Sequence, residues 1–97
     1  MANMGPAATP GKPVWFVAED NRGRYRQFPE YLNHMVEDKF QEWTAMGGPA
    51  EFVVAYCWPA RGTRPLQDYE ITFHNMKQTN LTHNTARSVM RLLRSDP

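Results

Sequence analysis

LNHMVEDKFQEW, residues 32–43, is the stretch that decides the fold. Its apolar residues fall at Leu32, Met35, Val36, Phe40 and Trp43, a spacing that puts all five on one face of an α-helix. Pro29 just upstream suits a first helical turn, where its missing N–H has no partner to lose. Glu30 beside it complements the positive end of the helix dipole. Gly47, Gly48 and Pro49 then stop the periodicity. The spacing predicts one helix over residues 29–43, and its single apolar face calls for a second element to cover it.

The flanking sequence supplies strands. Residues 14–18, VWFVA, are β-branched and aromatic. EDNRG at 19–23 is turn chemistry, and RYRQF at 24–28 alternates polar and apolar residues, so 14–28 reads as a hairpin. Downstream of the helix, EFVVAYCW at 51–58 is the most apolar run of the chain and reads as a central strand. Residues 59–67, with two Pro and one Gly, read as a loop. YEITF at 69–73 points Tyr69, Ile71 and Phe73 to one side. Residues 74–84 are polar and turn-like, and 86–93 fit either a helix or an alternating strand. Residues 1–13, rich in Ala, Gly and Pro, read as a disordered tail ahead of a domain over 14–94. The pattern is α+β, one helix packed on an antiparallel sheet.

Composition narrows the function classes. The chain is 97 residues long, 41% hydrophobic and 12% aromatic, enough for one core dominated by a few large rings. A single cysteine excludes an internal disulfide and fits a reducing compartment, cytoplasmic or nuclear. No apolar run reaches the length of a membrane span. Net charge is +1, but acids gather in 30–42, while Lys77, Arg87, Arg91 and Arg94 occupy a C-terminal stretch without acids. That stretch suits an anionic ligand; a solvated face accounts for the same charges.

Catalytic and metal constellations are missing. Cys57, inside the most apolar run, reads as a buried structural thiol. His34, His74 and His83 have no ligand spacing to one another or to Cys57. Glu37 and Asp38 are adjacent on a helix and point to different faces. Gly47-Gly48 lies at a helix end, without the Lys and Ser/Thr of a phosphate loop. The expectation is a binding module with no cofactor, not an enzyme.

The order of signature residues resembles a WWE domain. Trp15 matches the first tryptophan of that family, Tyr25 stands where the second is usual, and Glu37 matches the glutamate. Residues 69–78, YEITFHNMKQ, are similar to the family pattern Y-x-I-D-F-x-x-M-x-Q, with Thr72 in place of the acid. Arg87, Val89 and Arg91 resemble its closing R-x-V-x-R strand. The resemblance covers residues 14–91. It implies an antiparallel half-barrel of about five to six strands, closed by one helix and open at one end to ADP-ribose. The ligand would be the iso-ADP-ribose unit of poly(ADP-ribose) or a terminal ADP-ribose. It implies partners among ubiquitin ligases and ADP-ribosyltransferases, with Trp15 and Glu37 structural. Tyr69 would contact the adenosine, Gln78 the adenine or ribose and Arg87 a phosphate, with Phe16 and Tyr25 lining the wall. Aromatic faces, an amide and a planar guanidinium suit a purine and two phosphates. Two other readings remain. One is a scaffold for protein–protein contact that has lost the pocket, which Tyr25 and the long 59–67 loop favour. The other is single-strand nucleic acid binding through residues 77–94.

Overall fold

A computed structural model describes residues 11–20, 22–59 and 66–94. Among them the order of elements is β1 (Lys12–Ala18), β2 (Tyr25–Gln27), α1 (Glu30–Ala45), β3 (Val53–Pro59), β4 (Leu66–Thr72), β5 (Lys77–Asn80) and β6 (Thr85–Arg94). The strands form one antiparallel sheet in the order β2-β1-β6-β5-β4-β3.

α1 forms where the apolar stripe places it. Pro29 caps it in extended backbone with φ −56° and ψ 152°, and its carbonyl accepts the first helical bond from Asn33 N–H at 2.8 Å. At the other end Gly47 and Gly48 take positive φ, 89° and 71°. That conformation lets Gly48 N–H reach Trp43 O at 2.9 Å and Gly47 N–H reach Thr44 O at 3.1 Å, the paired closing bonds of a Schellman motif. A Cβ on Gly48 would also meet the Trp43 ring at 3.3 Å. Leu32 and Val36 are buried, while Met35, Phe40 and Trp43 pack against the core from its margin.

The alternation of the strands sorts residues onto two faces. The inner face carries Trp15 and Val17 of β1, Ile71 of β4, Val89 of β6 and Val54, Tyr56 and Trp58 of β3, all buried. Phe73 follows β4 into the same core. Trp15 meets Phe40 edge-on at 5.3 Å and Phe73 at 5.6 Å between ring centroids. Asn33 ties α1 to the sheet. β2 pairs with β1 only over Phe16–Ala18. Beyond it, Asn33 Oδ1 accepts Trp15 N–H at 2.7 Å and its Nδ2 donates to Pro13 O at 3.1 Å. One amide side chain thus continues the ladder where the strand stops.

The outermost strands meet through side chains. Phe28, just past β2, lies 4.7 Å from the Trp58 ring of β3 and 6.3 Å from Tyr56, and the Arg26 guanidinium sits 4.6 Å above Trp58. In a flat six-stranded sheet those strands would lie roughly 24 Å apart.

The structure corrects several expectations. β3 is an edge strand, not a central one. Its apolar run serves two environments: Val54, Tyr56 and Trp58 face the core, whereas Val53, Ala55 and Cys57 are exposed. Cys57 is therefore not buried. Its Sγ donates to Asp68 Oδ1 at 3.1 Å, and that bond, followed by partial desolvation, pushes the thiol pKa up. Within the polar 74–84 stretch lies the strand β5, which pairs with both β4 and β6. Residues 86–93 belong to the strand β6. β4 begins at Leu66, so the loop is shorter than 59–67, and residues 60–65 lie outside the described residues. Residues 1–10 of the expected tail lie outside them too, while Lys12 and Pro13 belong to β1 because Arg94 and Leu93 pair with them.

Candidate functional site

The inner face has two poles, and both are organised by an arginine of β6. At the pole covered by α1, Glu37 gathers four donors. Its Oε1 accepts Trp15 Nε1 at 3.0 Å and Arg91 Nε at 2.8 Å. Its Oε2 accepts Gln41 Nε2 at 2.6 Å and Arg91 Nη2 at 2.8 Å. Burial alone would push this carboxyl up, but the bonds from Arg91, Gln41 and Trp15 outweigh it and hold the pKa below the usual range. The Arg91 guanidinium also lies 4.7 Å over the Phe40 ring. This cluster joins α1, β1 and β6, and each carboxylate oxygen of Glu37 accepts two of its bonds. It is structural.

Away from α1 the same face opens into a cavity of about 370 Å³, within the range of small-molecule sites. Three neighbouring strands bring the sequence-predicted residues to it: Tyr69 on β4, Gln78 on β5 and Arg87 on β6. Gln78 pairs directly with Arg87 across β5 and β6, and with Ile71 across β5 and β4. Gln78 thus lies within a strand, not in a turn after one.

Each side chain is held differently. The Tyr69 ring stacks on Tyr56 at 6.1 Å and meets Trp58 edge-on at 6.1 Å. Its hydroxyl donates to Gln67 Oε1 at 3.2 Å, an oxygen that also accepts Asn80 Nδ2 at 2.8 Å. Asn80 Oδ1 in turn accepts the N–H groups of Thr82 and His83 at 2.9 and 3.1 Å, which shapes the β5–β6 turn at the cavity rim. Gln78 is only 4% exposed. Its Oε1 accepts the hydroxyl of Tyr56, leaving the amide NH₂ as its hydrogen-bonding group toward the cavity. Burial, reinforced by the neighbouring Tyr69, pushes the Tyr56 hydroxyl far above the usual phenol range, so it stays a donor. Arg87 makes no ion pair with a described residue.

Phe16 and Tyr25 do not join this group. Pairing sets Phe16 opposite Met90 and Tyr25 opposite Ala18, on the face away from Trp15 and Val17. Tyr25 borders a second hollow with Asp20, Lys77 and Ser88, which Arg87 also lines. Their places at the cavity are taken by Val17 and Arg26. The sequence held that signal: Phe28 is a core residue, so alternation puts Arg26 on its side and Tyr25 on the other. Tyr56, which supports Gln78 and Tyr69 without lining the cavity, was also missed, since in the sequence it is one aromatic in an apolar run. The C-terminal basic stretch is likewise divided, with Arg87 and Arg91 facing inward and Lys77 and Arg94 outward. Among the described residues, no group of three or more His, Cys, Asp or Glu is placed to hold a metal ion.

The model of the WWE domain matches residues 13–91. The chain belongs to the WWE domain family. No curated protein matches it. Family membership fits the geometry of this WWE domain: Trp15 and Glu37 are bonded to each other at the closed pole, and Tyr69, Gln78 and Arg87 share the cavity at the open one. WWE domains are in general non-catalytic interaction modules with a role in ADP-ribose binding.

Proposed function

We propose that this WWE domain reads ADP-ribose, as iso-ADP-ribose of poly(ADP-ribose) or as a terminal unit, in the cavity lined by Tyr69, Gln78 and Arg87. In this reading the sheet is a half-barrel, and the cavity is its open end. The contacts of Phe28 and Arg26 with Trp58 support that curl. Tyr69 offers a ring to the adenosine, Gln78 an amide donor to an acceptor of the base or ribose, and Arg87 a planar fork to a phosphate. The carrying observation is the convergence of these three side chains from three adjacent strands, with Arg87 free of any ion pair to a described residue. Such a module recruits what it is attached to, or associates with, to ADP-ribosylated proteins, in ubiquitin ligase or ADP-ribosyltransferase systems.

Titration with ADP-ribose, iso-ADP-ribose, ATP and poly(ADP-ribose), followed by amide shifts, tests this reading. The expected result is saturable shifts at Tyr69, Gln78 and Arg87 with at least one ADP-ribose form. Absence of shifts there at about millimolar ligand, far below useful affinity, overturns it in favour of a protein–protein scaffold.

A further inference from the structure

Arg26 carries a buried polar atom without a partner at the rim of the cavity. It stands on β2, two strands from Arg87 on β6 with β1 between them, and two residues out of line with it, which puts their Cα atoms roughly 12 Å apart in a flat sheet. Register places it opposite Val17, on the inner face, and it lines the same cavity as Arg87. One face of its guanidinium is spent on the Trp58 ring, 4.6 Å away. Its Nε is buried and has no hydrogen-bond partner, and it is the one described buried side-chain nitrogen or oxygen in that position. Neither Arg26 nor Arg87 forms an ion pair with a described residue. Glu19 borders the cavity as well, with a partner of its own.

Two guanidinium groups beside one cavity repel each other, and a buried N–H without an acceptor is a standing cost to the fold. A protein that gained nothing from Arg26 would be better served here by an apolar residue on Trp58. We infer that Arg26 is a second anion-binding arm, and that with Arg87 it clamps a diphosphate, or two phosphates of one ligand, across the cavity. This inference rests on the proposed nucleotide reading and deepens it: the preferred ligand is an adenine nucleotide with two phosphate groups, not one. With Trp58 beside the guanidinium, its N–H groups are the donors that Arg26 can turn to a phosphate oxygen.

The test compares wild type, Arg26→Met and Arg26→Lys with AMP, ADP, ADP-ribose and inorganic diphosphate as probes, by calorimetry and by NMR of the arginine side chains. Met keeps an apolar stem and a sulfur on Trp58, so the fold is preserved. The expected result is that wild type binds ADP and ADP-ribose about tenfold more tightly than AMP, and that Arg26→Met removes this preference. Arg26→Lys restores part of it. The melting temperature of Arg26→Met stays level or rises, because an unsatisfied buried donor has been removed; a purely structural arginine would lower it. Equal affinity of wild type and Arg26→Met for ADP and for inorganic diphosphate overturns the second arm even if ADP-ribose binds. Binding of inorganic diphosphate that depends on Arg26, without binding of any adenine ligand, leaves the clamp standing and removes the ADP-ribose reading. Failure of every probe to bind overturns both.

Discussion

Arg91 and Arg87 leave the same face of β6 four residues apart and meet opposite surroundings. Arg91 reaches the pole covered by α1, where Glu37 takes it with two bonds of 2.8 Å and Phe40 lies under its plane. Arg87 reaches the pole that α1 does not cover, where it borders a cavity and no described acid pairs with it. The residue type, strand and face are shared, so the difference lies in the helix. Where α1 lies over the sheet, a cation half-removed from water needs a carboxylate from the chain itself. Where the helix does not reach, Asp20 feels the charge of Arg87 and Glu19 borders the same cavity. No described carboxylate forms an ion pair with Arg87, however, which leaves room for the anion proposed above. One strand thereby sends one arginine into an ion pair of the fold and another to the cavity.

The comparison breaks most completely if the helix is lifted off. Val36 is 0% exposed at the centre of the α1 face. Val36→Asp places a charge there without a partner, and we expect a loss of about 4 kcal/mol in urea denaturation. That is most of the margin of a domain this size, so ligand binding is expected to disappear with the fold. An unchanged midpoint would mean that α1 does not hold the core.

A narrower change breaks only the locked pole. Glu37→Gln removes the charge but keeps the shape, leaving Arg91 without its counter-ion at 22% side-chain exposure. We expect a loss of about 2 kcal/mol, between the values for an exposed and a fully buried pair, because both partners retain some solvent. The pH dependence follows in sign. The carboxyl of Glu37 is held below its ordinary value in the fold. Its contribution is thus complete above the ordinary glutamate pKa and is lost as pH falls through the folded one. Denaturation across roughly pH 6 to 2 should show wild type losing stability on this limb. Glu37→Gln should lose less over the same limb. The Asp20 carboxyl, lowered mainly by its bond to Arg24, titrates in both proteins and cancels in the difference. Parallel curves would detach Glu37 from the stability of the closed pole.

Legibility followed the strength of periodicity. The stripe from Leu32 to Trp43 is set by burial alone, and the helix is found where the stripe puts it. β5 escaped because KQTN has no apolar residue: its inward position is Gln78, a polar side chain buried by a bond to Tyr56 that lies 22 residues away in the chain. The position of β3 escaped because an apolar run on both faces reads as a strand between two neighbours, and nothing local tells that Val53, Ala55 and Cys57 look outward. At the site, Tyr69, Gln78 and Arg87 were readable as a motif. Arg26 was readable only by carrying alternation back from Phe28, and Phe16 and Tyr25 were placed one residue out of phase. A one-residue error exchanges the faces of a strand.

The open pole breaks through Arg87. Arg87→Ala removes the charge that stands at the cavity, and stability should change by no more than about 0.5 kcal/mol, since no described partner is left behind. Affinity for the ADP-ribose form that binds wild type should fall roughly ten- to a hundredfold, the loss of one charge-assisted pair of about 1.5–3 kcal/mol. Calorimetry and a melting curve on the same sample separate the two effects. Equal affinity in Arg87→Ala would remove the residue from the site while leaving the fold untouched. Set beside Glu37→Gln, the two variants should show complementary losses, one of binding and one of stability.

The finest test concerns which end of the Gln78 amide faces the ligand. An amide offers an acceptor at one end and a donor at the other, and the two differ only by a half-turn of the side chain. Tyr56 decides between them, because its buried hydroxyl donates to Oε1 and thereby presents the NH₂ group to the cavity. With its pKa raised by burial, Tyr56 keeps that proton throughout the neutral and moderately alkaline range. Tyr56→Phe preserves the ring stacked on Tyr69 and removes only the oxygen, so the amide loses the bond that fixes its sense. We expect a fall in stability of about 1 kcal/mol from the unmatched amide oxygen. Affinity should weaken by a few-fold, roughly 0.5–1 kcal/mol, as the ligand must now select the donor orientation for itself. The side-chain NH₂ resonances of Gln78 report this directly: they should be sharp and shifted by ligand in wild type, and averaged in free Tyr56→Phe. If those resonances and the affinity are both unchanged, the sense of the amide is set by a group other than Tyr56. The donor role given to Gln78 would then lose its structural basis, although Arg87 and Tyr69 would keep theirs.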